Sequence, residues 1–411
     1  MTNHDAAIRI IKRLRAHEFD ALLAGGCVRD MLLGVRAKDY DVATNAEPAD
    51  VISLFPRTLR VGAQFGVIVV LLEGQQVEVA TFRTDGDYHD GRRPSQIQFA
   101  GAEEDAARRD FTINGMFYDP RKREVIDTVG GRRDIRRRVI RTIGRPAERF
   151  GEDFLRMLRA VRFATRLGFR IEPQTRQAMC AYAHRIVRIS GERVCLELEG
   201  ILTHPRRGEG VRLLVETGLA PALFPDMLPE QHQAAVAVLS RLRKNVDFAL
   251  TLASFCVGCE TAEALEGLHF LKLSRRQVKH VHFLLRHRGK LLCDDMSLAD
   301  LKLIAAEPYF WDLYEFQRAI QRANGRSVNA LLILRKRIRA LGDTDLRPDP
   351  LLDGHDLIRI GAVPGPMVGH LGQEMYLAQL EGTLTAVAEA EAWVRRWLTQ
   401  RKRDPVRWQT P

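Results

Sequence analysis

Asp39 and Asp41 stand one residue apart in the run Asp39-Tyr40-Asp41. Side chains at i and i+2 of a strand share a face, so an extended run sets these carboxylates side by side. Two close carboxylates repel unless a cation lies between them, and a site of hard oxygen ligands suits Mg2+. A D-x-D pair taken alone is more often a turn or a capping pair. Glu78 is a charge inside the otherwise apolar run 77–82. It is either a solvated strand charge or the third carboxylate that two-metal phosphoryl chemistry needs. Upstream, an apolar run ends in Gly25-Gly26, with a helical segment expected from near Val28. Glycines let backbone approach a phosphate, a helix start offers N–H donors, and Arg29 adds a bidentate anion contact. Farther on, Asp153, Arg156, Arg159 and Arg162 recur every three residues. On a helix this spacing makes a slanting ridge, which by itself is an ordinary charged face.

The elements that must hold these residues fall into two textures. Between about residues 21 and 143, short β-rich runs alternate with turns. Runs 65–72 and 77–82 flank Glu73-Gly74-Gln75-Gln76 as a hairpin, and 125–127 and 139–143 read as two more short strands. After Ala147, apolar residues recur at spacings of three and four, the period of amphipathic helices. Helices are expected over 150–167, 173–184, 191–202, 210–217 and 277–292. The fold class is therefore α+β, a small mixed sheet followed by helices. At roughly 100–200 residues per domain, a chain of 411 residues holds several units. Breaks near Gly144, His204 and Leu341 divide it into 1–145, 146–205, 206–341 and 342–411.

Composition narrows the function. The 63 Lys and Arg against 52 Asp and Glu give a net charge of +11, which favours a polyanionic partner, nucleic acid above all. No stretch has the ~18 apolar residues of a membrane span, so no membrane association is expected. Six scattered cysteines and a start without an apolar leader point to the cytoplasm. Cys256 and Cys259 form a lone C-x-x-C, read as two buried thiols in a helical core. His280, His282 and His287 read as a solvated basic face.

Several motifs, in order, resemble the bacterial class II tRNA nucleotidyltransferase and poly(A) polymerase family. They are Gly25-Gly26-Cys27-Val28-Arg29-Asp30, Asp39-Tyr40-Asp41, Glu78-Val79-Ala80-Thr81-Phe82-Arg83 and Tyr88-His89-Asp90-Gly91-Arg92-Arg93-Pro94. Then come Arg108-Arg109-Asp110-Phe111-Thr112-Ile113-Asn114, the run from Glu152 to Phe163, and Ile189-Ser190-Gly191-Glu192-Arg193. The resemblance is dense over about residues 20–225.

It implies a nucleotidyltransferase head over 1–145, a base-reading neck over 146–205, and a helical body and tail that bind RNA over 206–341 and 342–411. Asp39 and Asp41 would hold catalytic Mg2+ in a two-metal mechanism, with Glu78 as the third catalytic carboxylate. Gly26 and Arg29 would meet nucleotide phosphates. Asp110 and Asn114 would lie by the ribose, and Arg109 would be a further nucleotide contact. Asp153 and Arg156 would read C and A directly, because an acid accepts from the exocyclic amine and an arginine donates to a ring nitrogen. Arg159 and Arg162 would reach the nucleotide or its phosphates.

The expected reaction is template-independent addition of CCA to the tRNA 3′ end from CTP and ATP, with release of pyrophosphate. A poly(A) polymerase or an enzyme adding only A is the alternative. The segment 84–94 resembles the loop kept by relatives that add the terminal A, and 61–66 looks like the tRNA-repair branch. A small-molecule nucleotidyltransferase would not need the basic helices, and a non-catalytic RNA binder would have lost the carboxylates. The region 229–271 lacks a His-Asp dyad, so no phosphohydrolase activity is expected, and no protein partner is legible.

Overall fold

The Thr2 side chain accepts the Asp5 N–H and Asp5 returns a bond to the Thr2 N–H, a reciprocal cap that fixes the start of α1 (Asn3–Ala16). Ala6, Ala7, Ile10, Ile11 and Leu14 make its buried stripe. This computed structural model describes residues 1–85, 97–293 and 295–403. The chain divides into two compact units between Val278 and Lys279.

In the first unit, β1 (Ala21–Ala24), α2 (Gly26–Leu32), β2 (Asp41–Thr44), α3 (Pro48–Leu54), β3 (Thr58–Gly62), β4 (Val67–Leu72) and β5 (Gln75–Thr81) follow in turn. A small antiparallel ribbon of β6 (Arg83–Asp85) and β7 (Ile97–Phe99) leads to α4 (Ala102–Ala107). Next are β8 (Phe117–Asp119), β9 (Glu124–Ile126), α5 (Gly131–Arg137) and β10 (Val139–Ile140). Seven strands form one mixed sheet in the order β3-β4-β5-β2-β1-β8-β9. β2 runs parallel to β5, whereas β1 is antiparallel to both β2 and β8. All four residues of β1 are buried, because α1 packs on one face of the sheet and a cluster of Leu22, Ala24, Ala43, Phe82, Ala106 and Phe117 fills the other.

The β4–β5 hairpin turns on two residues rather than the four expected. Glu73 and Gly74 both have positive φ, 46° and 80°, and Leu72 pairs directly with Gln75. That is the left-handed turn that matches strand twist.

Helices dominate the rest. α6 (Pro146–Glu152) and α7 (Leu155–Leu167) precede β11 (Arg170–Ile171), which pairs in parallel with β10. α8 (Pro173–Tyr182), α9 (Gly191–Leu202), α10 (Arg207–Glu216), α11 (Leu219–Leu223), α12 (Pro229–Leu239), α13 (Phe248–Phe255), α14 (Thr261–Leu268) and α15 (Arg275–Arg286) follow. Arg207 is 1% exposed and donates to the carbonyls of Leu202 and Arg243 at 2.8 and 2.9 Å, so its buried charge is met by backbone dipoles. Cys256 and Cys259 are buried, as expected.

The second unit contains α16 (Leu298–Ala305), α17 (Phe310–Ala323), α18 (Asn329–Ala340), α19 (Gly354–Ile360), α20 (Pro366–Leu380) and α21 (Val387–Arg403). Leu357, Leu371, Met375, Val394 and Trp397 centre one of its cores. His280 departs from the expected solvated face. It is 6% exposed, stacks on Tyr309 with ring centroids 4.0 Å apart, and lies 3.3 Å from Asp312. Flat imidazole against phenol buries more surface than a solvated ring would. Among the described residues no helix is long and apolar enough to cross a membrane.

Candidate active site

One cavity of ≈ 760 Å³ in the first unit gathers almost every residue singled out in the sequence. Gly26, Arg29, Asp39, Asp41, Arg109, Asp110, Asn114, Asp153, Arg156, Arg159 and Arg162 all line it. They come from the β1–α2 turn, the entry to β2, the segment after α4, the α6–α7 junction and α7. Seven arginines and four aspartates among the lining residues make a basic wall around a small acidic floor.

The floor is the Asp39–Asp41 segment. β2 begins at Asp41, so the pair straddles the entry to the strand rather than lying within it. Glu78 is exposed and does not line the cavity. The parallel pairing Val42↔Val79 nevertheless brings β5 past Asp41 one residue earlier, and the Glu78 charge is felt there. Burial and then Glu78 raise the Asp41 carboxyl to about 6, with Asp39 adding to the rise and Arg109 opposing it. Cys27, buried beneath, is pushed up to about 11, first by burial and then by Asp41, and its thiol donates to the Ala24 carbonyl at 3.2 Å.

Among the described residues no cluster of three His, Cys, Asp or Glu side chains is arranged to hold a metal ion. The donor set still fits Mg2+. This ion commonly takes one or two carboxylates and completes its shell with phosphate oxygens and water. An aspartate whose proton affinity is raised by burial and by neighbouring carboxylates, as Asp41's is, is also the arrangement a divalent cation relieves.

The β1–α2 turn shows why glycine stands at position 25. Its φ is +70°, and a Cβ there would meet Arg109 Nη1 at 2.8 Å. The bare backbone lets that guanidinium lie against the turn, where it also donates to the Asn114 carbonyl at 3.3 Å and covers the Phe117 ring.

A chain of polar side chains then crosses the cavity wall. Arg29 Nη1 donates to Asn114 Oδ1 at 2.7 Å, and Asn114 Nδ2 donates to Asp110 Oδ1 at 3.1 Å. Arg159 forks onto Asp110 Oδ2 at 2.9 and 2.7 Å. Glu197 follows, with Arg159 at 3.9 Å and Arg162 Nε donating at 2.6 Å. Burial, the largest single influence, would raise the Asp110 carboxyl, but the Arg159 guanidinium together with hydrogen bonds from Asn114 and the Phe111 N–H outweighs it and holds the group below the usual carboxylate range. Arg29, Arg159 and Arg162 also surround the Phe163 ring, with guanidinium carbons 5.4, 5.5 and 4.4 Å from its centroid.

The helix expected over 150–167 is broken. α6 ends at Glu152, Asp153 is extended with φ −152° and ψ 105°, and α7 restarts at Leu155. Asp153 is thus a junction residue and not part of a continuous ridge. Its Oδ1 accepts the Leu155 N–H at 3.0 Å, and its Oδ2 accepts from Arg193 at 2.6 Å. A short acidic side chain competes for backbone N–H groups, which favours such a break. Arg156 is buried and donates to Glu152 and to the Arg149 carbonyl.

Sequence reasoning missed four lining residues, Arg108, Leu155, Phe163 and Arg193, all within motifs that had been noted. It missed Asp105 and Glu197 as well, the carboxylates that hold the arginines. For Asp105 the i,i+3 and i,i+4 spacing to Arg108 and Arg109 was the available signal. The expected loop segment 84–94 lies outside the described residues from position 86 onward.

Residues 21–141 match the family described as "Poly A polymerase head domain", and residues 168–230 match "Probable RNA and SrmB- binding site of polymerase A". The CCA-adding enzyme of Geobacillus sp. (strain WCH70) is 39% identical over 286 residues, 68% of this chain and 69% of the relative. The chain belongs to the tRNA nucleotidyltransferase and poly(A) polymerase family. The Geobacillus stearothermophilus CCA-adding enzyme is 46% identical over 236 residues, covering 57% of this chain and 58% of that relative. A crystal structure of the Bacillus stearothermophilus CCA-adding enzyme in complex with CTP superposes with a TM-score of 0.82 at 31% identity, over 98% of this chain and 100% of that one. In sequence, the match spans little more than half the length of the first curated relatives, 58, 54 and 53%.

Proposed function

We propose that this protein is a template-independent RNA nucleotidyltransferase that completes the CCA end of tRNA from CTP and ATP. The observation that carries the reading is the joint cavity, where the Asp39–Asp41 floor faces an arginine wall and the Asp153–Arg156 pair. Likeness to CCA-adding enzymes over most of the chain supports it.

Mg2+ bound by Asp39 and Asp41 would supply charge neutralisation for the triphosphate and activation of the RNA 3′-hydroxyl. The chain's own residues do the rest. Gly26 and Arg29 receive phosphate oxygens, with Arg29 already aimed by Asn114. Asp110 and Asn114 face the ribose, where hydroxyl contacts favour ribonucleotides. Arg159 and Arg162 add charge along the wall, and Glu78 tunes the neighbouring Asp41. Asp153 presents carboxylate oxygens to the exocyclic amine of C or A, while Arg156 offers a donor to the ring nitrogen. U and G present the reverse pattern at that edge and leave buried partners unpaired, which is what makes rejection strong. Arg193 fixes the Asp153 carboxylate in place, so base choice rests on preorganised protein and not on a template strand. The helical regions 206–341 and 342–411 are assigned to RNA, with affinity dominated by phosphate contacts and falling steeply with salt. On this reading the protein acts in the cytoplasm.

The test incubates pure protein and Mg2+ with tRNA lacking its 3′ end, tRNA ending in CC, and an unrelated RNA, each with CTP, ATP or both. Product length is read to one nucleotide. Addition that stops after CCA on tRNA alone supports the proposal. Long A tails on any RNA would make the protein a poly(A) polymerase, and a single A on the CC-ended tRNA only would make it an A-adding enzyme.

A further inference from the structure

Asp105 does not line the nucleotide cavity, yet it holds two of the cations that do. Its side chain is 2% exposed, in the first turn of α4. Oδ1 accepts Arg108 Nε and Nη2 at 2.9 and 2.6 Å, and Oδ2 accepts Arg109 Nε and Nη2 at 3.1 and 2.9 Å. One carboxylate thus takes two guanidinium forks, one on each oxygen. Adjacent arginines on a single wall repel, and an anion between their inner edges cancels that repulsion while fixing both planes. Arg109 is turned so that its remaining Nη1 lies against Gly25 and the Asn114 carbonyl, beside the β1–α2 turn. Arg108 Nε is further fixed on the Arg83 carbonyl at 3.0 Å.

We propose that Asp105 is the positioning residue that sets nucleotide affinity, by holding Arg108 and Arg109 in place on the wall of the cavity that receives the anionic nucleotide. The inference rests on the cavity being a nucleotide site. An ordinary structural ion pair would stabilise α4 and leave affinity alone, so the two roles separate experimentally.

The experiment measures the equilibrium dissociation constant for CTP, together with Tm, on the full chain and its variants. Asp105→Asn keeps the shape but loses the charge. It is expected to weaken CTP binding about tenfold or more, because both charge-assisted forks are lost. Arg109→Lys keeps the charge without the fork and should weaken binding in the same way. If Asp105 acts through Arg109, the double variant will bind little worse than the poorer single variant. Full-strength CTP binding by folded Asp105→Asn, or losses that multiply in the double variant, would overturn the inference. If Asp105→Asn fails to fold, the Arg109→Lys and Arg108→Lys variants decide: unchanged CTP affinity in both overturns it. Wild-type protein that binds neither CTP nor ATP would instead overturn the functional reading, and this inference with it.

Discussion

Asp41→Asn is expected to stabilise the protein while abolishing nucleotide transfer. Burial, reinforced by Glu78 and Asp39 against the pull of Arg109, raises the folded carboxyl from an ordinary 3.8 to about 6. The sign follows from proton linkage. Below about pH 4 the group is protonated in folded and unfolded chains alike and contributes nothing. Between about 4 and 6 the unfolded chain ionises first, so the folded state loses ground as pH rises. Above about 6 the full cost is present. At about 1.36 kcal/mol per pH unit, that cost is about 3 kcal/mol at neutral pH. Asparagine carries no charge to desolvate, and unmet amide hydrogen bonds take back part of the gain, leaving about 1–3 kcal/mol. At roughly 2–4 °C per kcal/mol for a unit of this size, Tm should rise by roughly 2–12 °C. The assay is a pair of thermal melts in EDTA at pH 7.5, 6, 5 and 4.5. The gap between variant and wild type should close as pH falls through 6 towards 4, and Glu78→Gln should give a smaller effect of the same sign. Mg2+ at pH 7.5 should raise the wild-type Tm and leave Asp41→Asn unmoved. A variant that melts at or below wild type at pH 7.5, or a gap that ignores pH, would refute the reasoning.

Arg193→Ala should relax the preference for C and A over U and G more than it weakens CTP binding, since it frees Asp153 without removing it; Asp153→Ala should do so more strongly. One good bidentate base contact is worth ~1–3 kcal/mol of discrimination, and single-turnover rates for all four NTPs measure it. Gly25→Ala should cost about 1–2 kcal/mol in stability from its positive φ and raise KM for CTP by displacing Arg109, checked by denaturant melts and initial rates. His232 is buried with neither ring nitrogen hydrogen-bonded, and burial lowers its proton affinity. Its stability contribution is complete above about pH 6.5 and lost as pH falls below that value. His232→Leu should therefore flatten the drop in Tm between pH 7 and 5.

The sheet, the helical remainder and the membership of the cavity were legible because they rest on local patterns. The runs at 67–72 and 77–81 carry strand chemistry in their own residues, and the aspartates, arginines and glycines sit in short motifs. What was not legible depends on which group competes for a backbone donor or a counterion. The break at Asp153 follows from its carboxylate taking the Leu155 N–H and the distant Arg193, forty positions along the chain. The hairpin turn was read two residues too long because Gln75 and Gln76 look like turn residues until their pairing with Leu72 and Leu71 is known. Asp105 is one of three consecutive acids, Glu103, Glu104 and Asp105, to which no role was given, and only the fold turns it inward. His280 carries a polar ring that sequence alone places in water, whereas Tyr309 and Asp312 provide it a buried seat.

The division between Val278 and Lys279 has an optical consequence. All four tryptophans follow it in the sequence; Trp311, Trp393 and Trp397 belong to the second unit and Trp408 lies outside the described residues, so indole emission carries no signal from the first unit's own side chains. The unit that contains the cavity is dark at those wavelengths. Melts followed by indole emission and by circular dichroism therefore separate the two units without any label. An Asp41→Asn shift seen in the dichroism but not in the emission would mean that the units unfold independently, and one seen in both would mean a single cooperative transition. A tryptophan placed in the cavity wall, Leu155→Trp for example, would report nucleotide arrival against no background from its own unit.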